Sequence, residues 1–172
     1  MDFVIRSLKE SDLRAYVAIR LEALRDHPAS FGSSYDDQHA DSDETWLARI
    51  HHYIDGIDSQ IFVADSGTGE FAALLGVYRE SGSKIRHAAY VVSVYVRPAY
   101  RGRGLVDRLL EAALAWCRER QIILLRLTVT TTNLPAIRCY QRLGFQTTGT
   151  LPQYIRTADG AYHDEYVMSR PV

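Results

Sequence analysis

The segment Ala88–Val96 is almost continuously apolar and rich in β-branched residues. Such a run is typical of a β-strand buried on both faces, because a strand with one solvated face would alternate apolar and polar residues. Pro98 ends the strand, and a helical pattern begins after Gly104. A central buried strand followed by a helix predicts an α/β fold.

The remaining patterns predict one order of elements along the chain. Predicted strands cover residues 3–8, 60–65, 71–80, 88–96, 122–130, 145–151 and 161–170, and predicted helices begin near Asp12, Ser42, Leu105 and Asn133. The order is β-α-α-β-β-β-α-β-α-β-β, with a polar, irregular segment at 30–41. No linker, repeat or low-complexity run divides the sequence, so residues 1–172 are expected to form a single domain.

Composition argues against several classes of protein. With 20 basic and 21 acidic residues the net charge is −1, so no global field favours nucleic acid or an anionic membrane. No apolar run approaches the roughly 18 residues that cross a bilayer. The N-terminal sequence lacks a basic-then-apolar signal pattern, and two cysteines fit a reduced protein better than a disulfide scaffold. We therefore expect a cytoplasmic protein that binds neither nucleic acid nor membrane.

The loop between the buried strand and the next helix has the composition of an anion site. Gly102 and Gly104 let the backbone approach a ligand closely, and a helix start presents unpaired N–H groups. Positive charge comes from four arginines, Arg97, Arg101, Arg103 and Arg108. These features indicate a phosphate or pyrophosphate site. An ordinary strand-to-helix turn with solvated arginines is the alternative, and neither standard glycine-rich nucleotide motif is present.

Two short sequence motifs lie in this loop and in the region that follows it along the chain. Arg101, Gly104 and Val106 follow the pattern [Gln/Arg]-x-x-Gly-x-[Gly/Ala], except that Val106 replaces the small last residue. The second motif consists of Asn133, Ala136, Tyr140 and Gly144-Phe145. With both motifs at suitable spacing, and with a matching element order along nearly the whole chain, the sequence resembles the GCN5-related N-acetyltransferase (GNAT) family.

The resemblance implies a fold and a cofactor site. The implied fold is a mixed, mostly antiparallel sheet of about seven strands, flanked by about four helices and splayed between the fourth and fifth strands. Acetyl-CoA is the implied co-substrate: its pantetheine arm would pair with the central strand and contact Asn133, and loop amides would hold its pyrophosphate. The implied cofactor-binding residues are Val94, Tyr95, Val96, Arg101, Gly102, Arg103, Gly104, Leu105, Val106 and Asn133.

The resemblance also implies a catalytic role for Tyr140, near the thioester sulfur. An amine of a small molecule or peptide would attack the thioester directly, and the phenol would protonate the leaving thiolate. No covalent enzyme intermediate and no metal are needed. Cys139 is expected to face away from the target of Tyr140, as a buried structural cysteine like Cys117. Without the motif, Tyr140 would be interpreted as a core tyrosine.

Some positions depart from the family pattern. Val106 is bulky, and Asp107 brings a negative charge near the proposed diphosphate. Thr128 stands where relatives that acetylate protein N-termini carry a glutamate, so the general base stays open. The proton acceptor could be an ordered water, or a residue outside the motifs such as Glu80, His87 or Glu165.

Three functions are compatible with the sequence. An N-acetyltransferase is favoured, a non-catalytic acetyl-CoA-binding sensor is the alternative, and nucleic-acid binding through the arginine cluster is weak because the cluster is small. Phe31 and Tyr35 either border the acceptor slot or belong to a plain connecting loop. The acceptor and the oligomeric state are open, with a homodimer as one option.

Overall fold

The structure is a computed structural model and describes residues 2–54 and 57–172, so that Met1, Asp55 and Gly56 lie outside the described residues. Its strands are β1 (Val4–Ser7), β2 (Ser59–Asp65), β3 (Phe71–Arg79), β4 (Ala88–Val96), β5 (Leu124–Thr130), β6 (Gln146–Arg156) and β7 (Tyr162–Pro171). All of them belong to one sheet in the order β1-β2-β3-β4-β5-β7-β6. Only β4 and β5 pair in parallel, and every other neighbouring pair is antiparallel. The mixed, mostly antiparallel sheet is thereby confirmed.

The helices are α1 (Leu13–Asp26), α2 (Tyr35–Gln38), α3 (Asp43–Ile54), α4 (Leu105–Glu119) and α5 (Leu134–Arg142). Four of them were predicted, and α2 is a single turn inside the segment expected to be irregular. A capping box explains that turn. The Ser34 hydroxyl accepts from the Asp37 N–H at 3.1 Å, and the Asp37 carboxylate accepts from the Ser34 N–H at 3.4 Å.

Helices cover both faces of the sheet. On one face α4 packs against strand residues such as Phe62 and Leu125. On the other face α1 and α3 pack against Ile61, Val63 and Leu74. Because successive residues of β2 point to opposite faces, one strand contributes to both clusters, as expected for a sheet with a helical layer on each side. No helix within the described residues has both the length and the apolarity to cross a membrane.

Strand β6 is longer than the sequence predicts. The sequence predicts a strand that ends at residue 151, followed by a loop containing Asp159-Gly160. The strand instead continues to Arg156 across an irregularity between Leu151 and Ile155. Gln153 lies there with a φ of 52°, and its N–H donates to the Asp164 carboxylate at 2.7 Å. A side chain of β7 thus replaces the missing ladder bond and keeps the two strands together.

The sheet opens between β4 and β5. These strands pair only where Ala88–Tyr90 meets Leu124–Arg126, and beyond that point they diverge. The expected splay between the fourth and fifth strands is confirmed. It leaves two strand edges facing each other with unpaired backbone groups, so that an extended ligand has room to enter between them.

Candidate active site

A cavity of about 670 Å³ lies between the diverging ends of β4 and β5. Its walls come from the second half of β4, residues 127–130 of β5, the loop before α4 and the first turns of α5. Of the eleven site residues expected from the sequence, all except Arg103 line this cavity. The Arg103 guanidinium lies over the Tyr100 ring instead, 5.9 Å from its centroid, so only the backbone of Arg103 belongs to the glycine loop.

The loop before α4 presents a series of backbone amides. Gly102 and Gly104 have φ angles of 75° and 69°, in the left-handed region that glycine enters without steric cost. Within the described residues, no backbone carbonyl accepts from the amides of residues 102–104. The amides of residues 105–107, in the first turn of α4, have no intrahelical partner by the geometry of a helix start. The loop therefore concentrates N–H donors at the positive end of the α4 dipole, as an anion site requires.

Arg101 is held by contacts on both sides of the loop. Its Nε donates to the Val96 carbonyl at 3.1 Å, and its Nη2 lies 2.9 Å from His27 Nε2. Since guanidinium nitrogens only donate, His27 Nε2 accepts here. His27 follows the last turn of α1 and also lines the cavity. No sequence pattern points to His27, because α1 and the glycine loop meet only in the folded chain.

The negative charge of Asp107 is paired across two helices. The Arg142 guanidinium donates to the Asp107 carboxylate at 2.5 and 3.0 Å, joining the last turn of α5 to the first turn of α4. The hydrogen bond from Arg142 holds the pKa of Asp107 below its usual range. In the sequence Asp107 stands close to the proposed diphosphate site, with no partner among its neighbours. The ion pair offsets the repulsion that an isolated carboxylate would produce there.

Strand β4 carries a bulge in the cavity wall. Leu74 pairs with Tyr95 but Gly76 pairs with Val92, so β4 has one residue more than β3 in this stretch. Ser93 takes up the extra length with a φ of 55°, and neither Ser93 nor Val94 has a partner in the ladders on either side. Bulges re-aim side chains and release backbone groups from pairing, and here they do so beside the cavity.

Tyr140 lies half-buried on α5 and lines the cavity. Its ring makes an edge-to-face contact with Phe145, with centroids 5.8 Å apart. Its hydroxyl makes no hydrogen bond to protein groups within the described residues. Burial raises the pKa of the Tyr140 phenol well above its ordinary value, so the hydroxyl stays protonated at neutral pH. A phenol of this kind is available as a proton donor to a ligand in the cavity.

Asn133 has a structural role in addition to its place in the wall. Its side-chain oxygen accepts from the Ala136 N–H at 3.3 Å and caps α5, as the Asn-x-Pro start predicts. The side-chain NH₂ of Asn133 remains available to a ligand, because capping uses only the oxygen.

The expectation for Cys139 is wrong. Cys117 is buried, but Cys139 is only half-buried and lines the cavity together with Tyr140. Residues three and four positions after Ala136 share its side of the helix, so both Cys139 and Tyr140 border the cavity. Burial raises the pKa of the Cys139 thiol, which keeps it a weak nucleophile. Within residues 2–54 and 57–172 no three His, Cys, Asp or Glu side chains are grouped to hold a metal ion.

Of the three carboxylate or imidazole candidates for a general base, Glu165 lies nearest the cavity. Glu80 and His87 lie at the β3–β4 hairpin, where β4 is still paired with β5. Glu165, on β7, is 4% exposed, pairs with Thr130 in the β5–β7 ladder and interacts with Thr128, and both threonines line the cavity. Burial raises the pKa of Glu165. A carboxylate from β7 thus reaches the position where the sequence has threonine on β5.

Phe31 and Tyr35, the two aromatic residues between the first helices, have different surroundings. Phe31 lines the cavity. Tyr35 stacks on His39 within and just after α2, with ring centroids 5.0 Å apart. Only Phe31 therefore borders the space in which a ligand would lie.

The chain is similar in sequence to known acetyltransferases. Residues 16–145, more than half of the chain, match the sequence model of the acetyltransferase (GNAT) family. A streptothricin acetyltransferase of Streptomyces lavendulae is 36% identical over 115 residues, covering 66% of this chain and 59% of that protein. The L-amino acid N-acetyltransferase AaaT of Escherichia coli K12 is 26% identical over 164 residues, covering 95% of this chain and 96% of AaaT.

The fold is also found among solved structures. A phosphinothricin acetyltransferase of Sinorhizobium meliloti in complex with acetyl-CoA superposes with a TM-score of 0.83 at 20% identity, covering 100% of this chain and 89% of that one. At this identity the likeness shows the fold alone. Several curated relatives are matched over about half of their own length, among them the streptothricin acetyltransferase at 59% and a mycothiol acetyltransferase of Acidothermus cellulolyticus at 46%.

Proposed function

The chain belongs to the acetyltransferase (GNAT) family, and on that premise we propose that it is an acetyl-CoA-dependent N-acetyltransferase acting on a primary amine of a small molecule or peptide. Family membership supports acetyl transfer in general. A relative named as an L-amino acid N-acetyltransferase, aligned over 95% of this chain, supports an amine as the acceptor. We propose acetyl-CoA as the co-substrate and no metal cofactor, because an amine can attack the thioester directly.

One observation carries the function: the cavity combines a set of backbone amides and a phenol that have no hydrogen-bond partner among the described residues. The amides of residues 102–107 suit the pyrophosphate of a CoA molecule, since they lie at a helix N-terminus. The free edge of β4 at Val94 and Val96 suits the amide groups of a pantetheine arm, which would pair with it as an added strand does. Asn133 would contact the same arm through its NH₂ group. The donor set therefore fits acetyl-CoA.

Bound acetyl-CoA would supply an activated acetyl thioester, and the chain's own groups handle charge and protons. Ser93 and Val94, free of the sheet ladder, would donate N–H groups to the carbonyl oxygen as negative charge develops on it. The Tyr140 hydroxyl would donate its proton to the departing sulfur. A phenol, with an ordinary pKa of about 10, is already a weaker acid than a thiol, with about 8.5, and burial raises the pKa of Tyr140 further. The transfer is therefore uphill and depends on close positioning and on a thiolate that the same apolar surroundings make more basic.

The acceptor amine must lose a proton to attack, and Glu165 is the side chain we assign to receive it. Glu165 does not line the cavity, so the proton would pass through Thr128 or a water beside it. The acceptor's own pKa then contributes to the pH profile of kcat/KM. We also propose that residues 1–172 act as one domain, because all strands join one sheet, and that the protein is cytoplasmic, with Cys117 and Cys139 free.

The test measures thiol release from acetyl-CoA across a panel of amines, with the acetylated product identified by mass spectrometry. Acetyl-CoA should raise the Tm, because a ligand that binds only the folded state stabilises it. Desulfo-CoA should raise the Tm nearly as much and pantetheine much less, since pantetheine lacks the diphosphate. Equal shifts from pantetheine and CoA would contradict the pyrophosphate assignment. A Tm shift with no amine acetylated would favour the non-catalytic acetyl-CoA sensor.

A further inference from the structure

A second cavity, of about 480 Å³, lies among α1, α2 and α3 and meets the first cavity at Ser93, which lines both. It is open to solvent, and the side chains that line it include those of Arg20, Gln38, Arg49 and Tyr53. Because the two cavities share the β4 bulge, a molecule in the second would reach the proposed site of acetyl transfer. The chemistry of this wall therefore reports on the acceptor.

Arg20 is buried without a counter-ion. It is 8% exposed, and within the described residues no carboxylate lies within ion-pairing distance of it. Its single side-chain hydrogen bond goes from Nη1 to the Ser93 hydroxyl, at 3.4 Å, and the Phe31 ring lies 5.3 Å from Cζ. The other guanidinium nitrogens make no hydrogen bond to the described residues and keep some contact with solvent, so they are free to bind a ligand in the second cavity.

The neighbouring groups in this cavity do not offset the charge of Arg20. Arg49 is a second cation, and it lies over the Trp46 ring. The Asp41 carboxylate is already paired with Arg49 at 2.6 Å, so it does not balance the charge of Arg20. The Gln38 side-chain oxygen is buried and has no hydrogen-bond partner within the described residues. The cavity thus contains one uncompensated cation and one unsatisfied amide oxygen. These are complementary to an anionic group and to a donor such as an ammonium or amide N–H.

On the basis of the N-acetyltransferase function proposed above, we propose that Arg20 binds the carboxylate of the acceptor, and that the substrate is a small amine with a carboxylate close to its amino group, as in a free amino acid. The guanidinium fork matches a carboxylate with two parallel hydrogen bonds. Arg20 contacts Ser93 in the bulge, so the carboxylate would lie beside the site of transfer and only a few bonds from the reacting nitrogen. A peptide N-terminus carries a neutral amide at that distance and would leave Arg20 unpaired.

The test compares acceptors that differ only in the charged group. Suitable sets are L-leucine, L-leucinamide and isopentylamine, and L-phenylalanine, its amide and phenethylamine, with the remaining amino acids screened in the same way. For the preferred side chain, kcat/KM for the acid should exceed that for the amide at least about tenfold, the usual size of a buried charge-assisted contact. Arg20→Met should reduce this ratio to about one. Arg20→Lys keeps the charge but loses the fork, and should give an intermediate ratio through a higher KM for the acid.

Arg14→Met is the matched control, because Arg14 is exposed on the same helix and borders neither cavity. Arg14→Met should keep the acid preference of the wild type, and the Tm shift caused by acetyl-CoA should be the same in every variant if the fold is intact. If Arg20→Met does not fold, the Arg20→Lys ratio decides. Acetylation of amides or alkylamines as well as of acids would overturn the role of Arg20 and leave the N-acetyltransferase standing. Failure of every amine would overturn both.

Discussion

Replacing Tyr140 by Phe would separate catalysis from stability, because the hydroxyl has no protein partner within the described residues. The substitution keeps the ring and its edge-to-face contact with Phe145. We expect the free energy of unfolding to change by less than about 0.5 kcal/mol, as for a side-chain change that breaks no contact. A hydroxyl that satisfied a buried partner would instead cost about 1–3 kcal/mol when removed.

The effect on turnover should be large. A positioned general acid contributes about 10²–10⁴-fold, equivalent to about 3–5 kcal/mol of activation free energy. We therefore expect kcat to fall by that factor while the acetyl-CoA-dependent Tm shift is unchanged. Because burial raises the pKa of Tyr140, its hydroxyl stays protonated up to and beyond about pH 10, so Tyr140 should cause no alkaline loss of wild-type kcat below that pH.

The assay is thiol release at saturating acetyl-CoA and acceptor, measured on the same purified preparation as the Tm. Tyr154→Phe is the matched control: Tyr154 is exposed on β6, and its loss should change neither quantity. A kcat for Tyr140→Phe within about threefold of the wild type would refute the general-acid role and leave proton delivery to water. A clear loss of stability with intact kcat would instead support a structural role for the hydroxyl.

Three further perturbations test the site. Gly104→Ala places a β-carbon on a residue with a φ of 69°, and it should lower stability by about 1–2 kcal/mol and weaken acetyl-CoA binding. The control is Gly149→Ala, whose β-carbon would meet no atom and whose φ is not positive, so that it should change neither quantity. Equal losses of Tm in the two variants would contradict this explanation. Arg142→Gln leaves Asp107 unpaired and should raise the Kd for acetyl-CoA severalfold at low salt and less at high salt, with Asp107→Asn restoring affinity; a salt-independent effect would argue against the electrostatic explanation. Burial raises the folded-state pKa of Glu165, so the unfolded chain loses this proton first, and the free energy of unfolding falls as pH rises from about 4.3 through the folded-state pKa. Glu165→Gln should remove that fall, measured by urea titrations at pH 4–8. An unchanged pH dependence in the variant would show that Glu165 does not cause the fall.

The ion pair between Asp107 and Arg142 also links the two helices that border the cavity. It joins the first turn of α4 to the last turn of α5, and its residues are 35 positions apart in sequence. Arg142 additionally contacts the Cys139 sulfur at 3.7 Å. A change at the pyrophosphate loop therefore has a direct structural route to the helix that carries Tyr140, and the Arg142→Gln variant would test both its binding and its turnover.

The sequence by itself determined those features that depend on residues close together in the chain. The apolar run of β4, the glycines at 102 and 104 and the Asn133 cap each act through local backbone preferences, so they predicted the strand, the loop and the start of α5 correctly. The order of these elements, together with the two motifs, was sufficient for the family and for the splayed sheet. The resemblance to the family added the site residues, and all of those that it implied line the main cavity except Arg103.

Only the tertiary structure decided which distant groups meet. Among the described residues Arg20 has no counter-ion, because no acidic side chain lies beside it where α1 meets the β4 bulge. A sequence pattern cannot predict that a partner is missing. Asp107 pairs with Arg142, and Glu165 lies beside Thr128, because strand order and helix packing bring together segments that are far apart in sequence. Such encounters depend on the geometry of the whole sheet, whereas helix and strand preferences are set within a few residues, and for this reason the charges of the site could be assigned only from the folded chain.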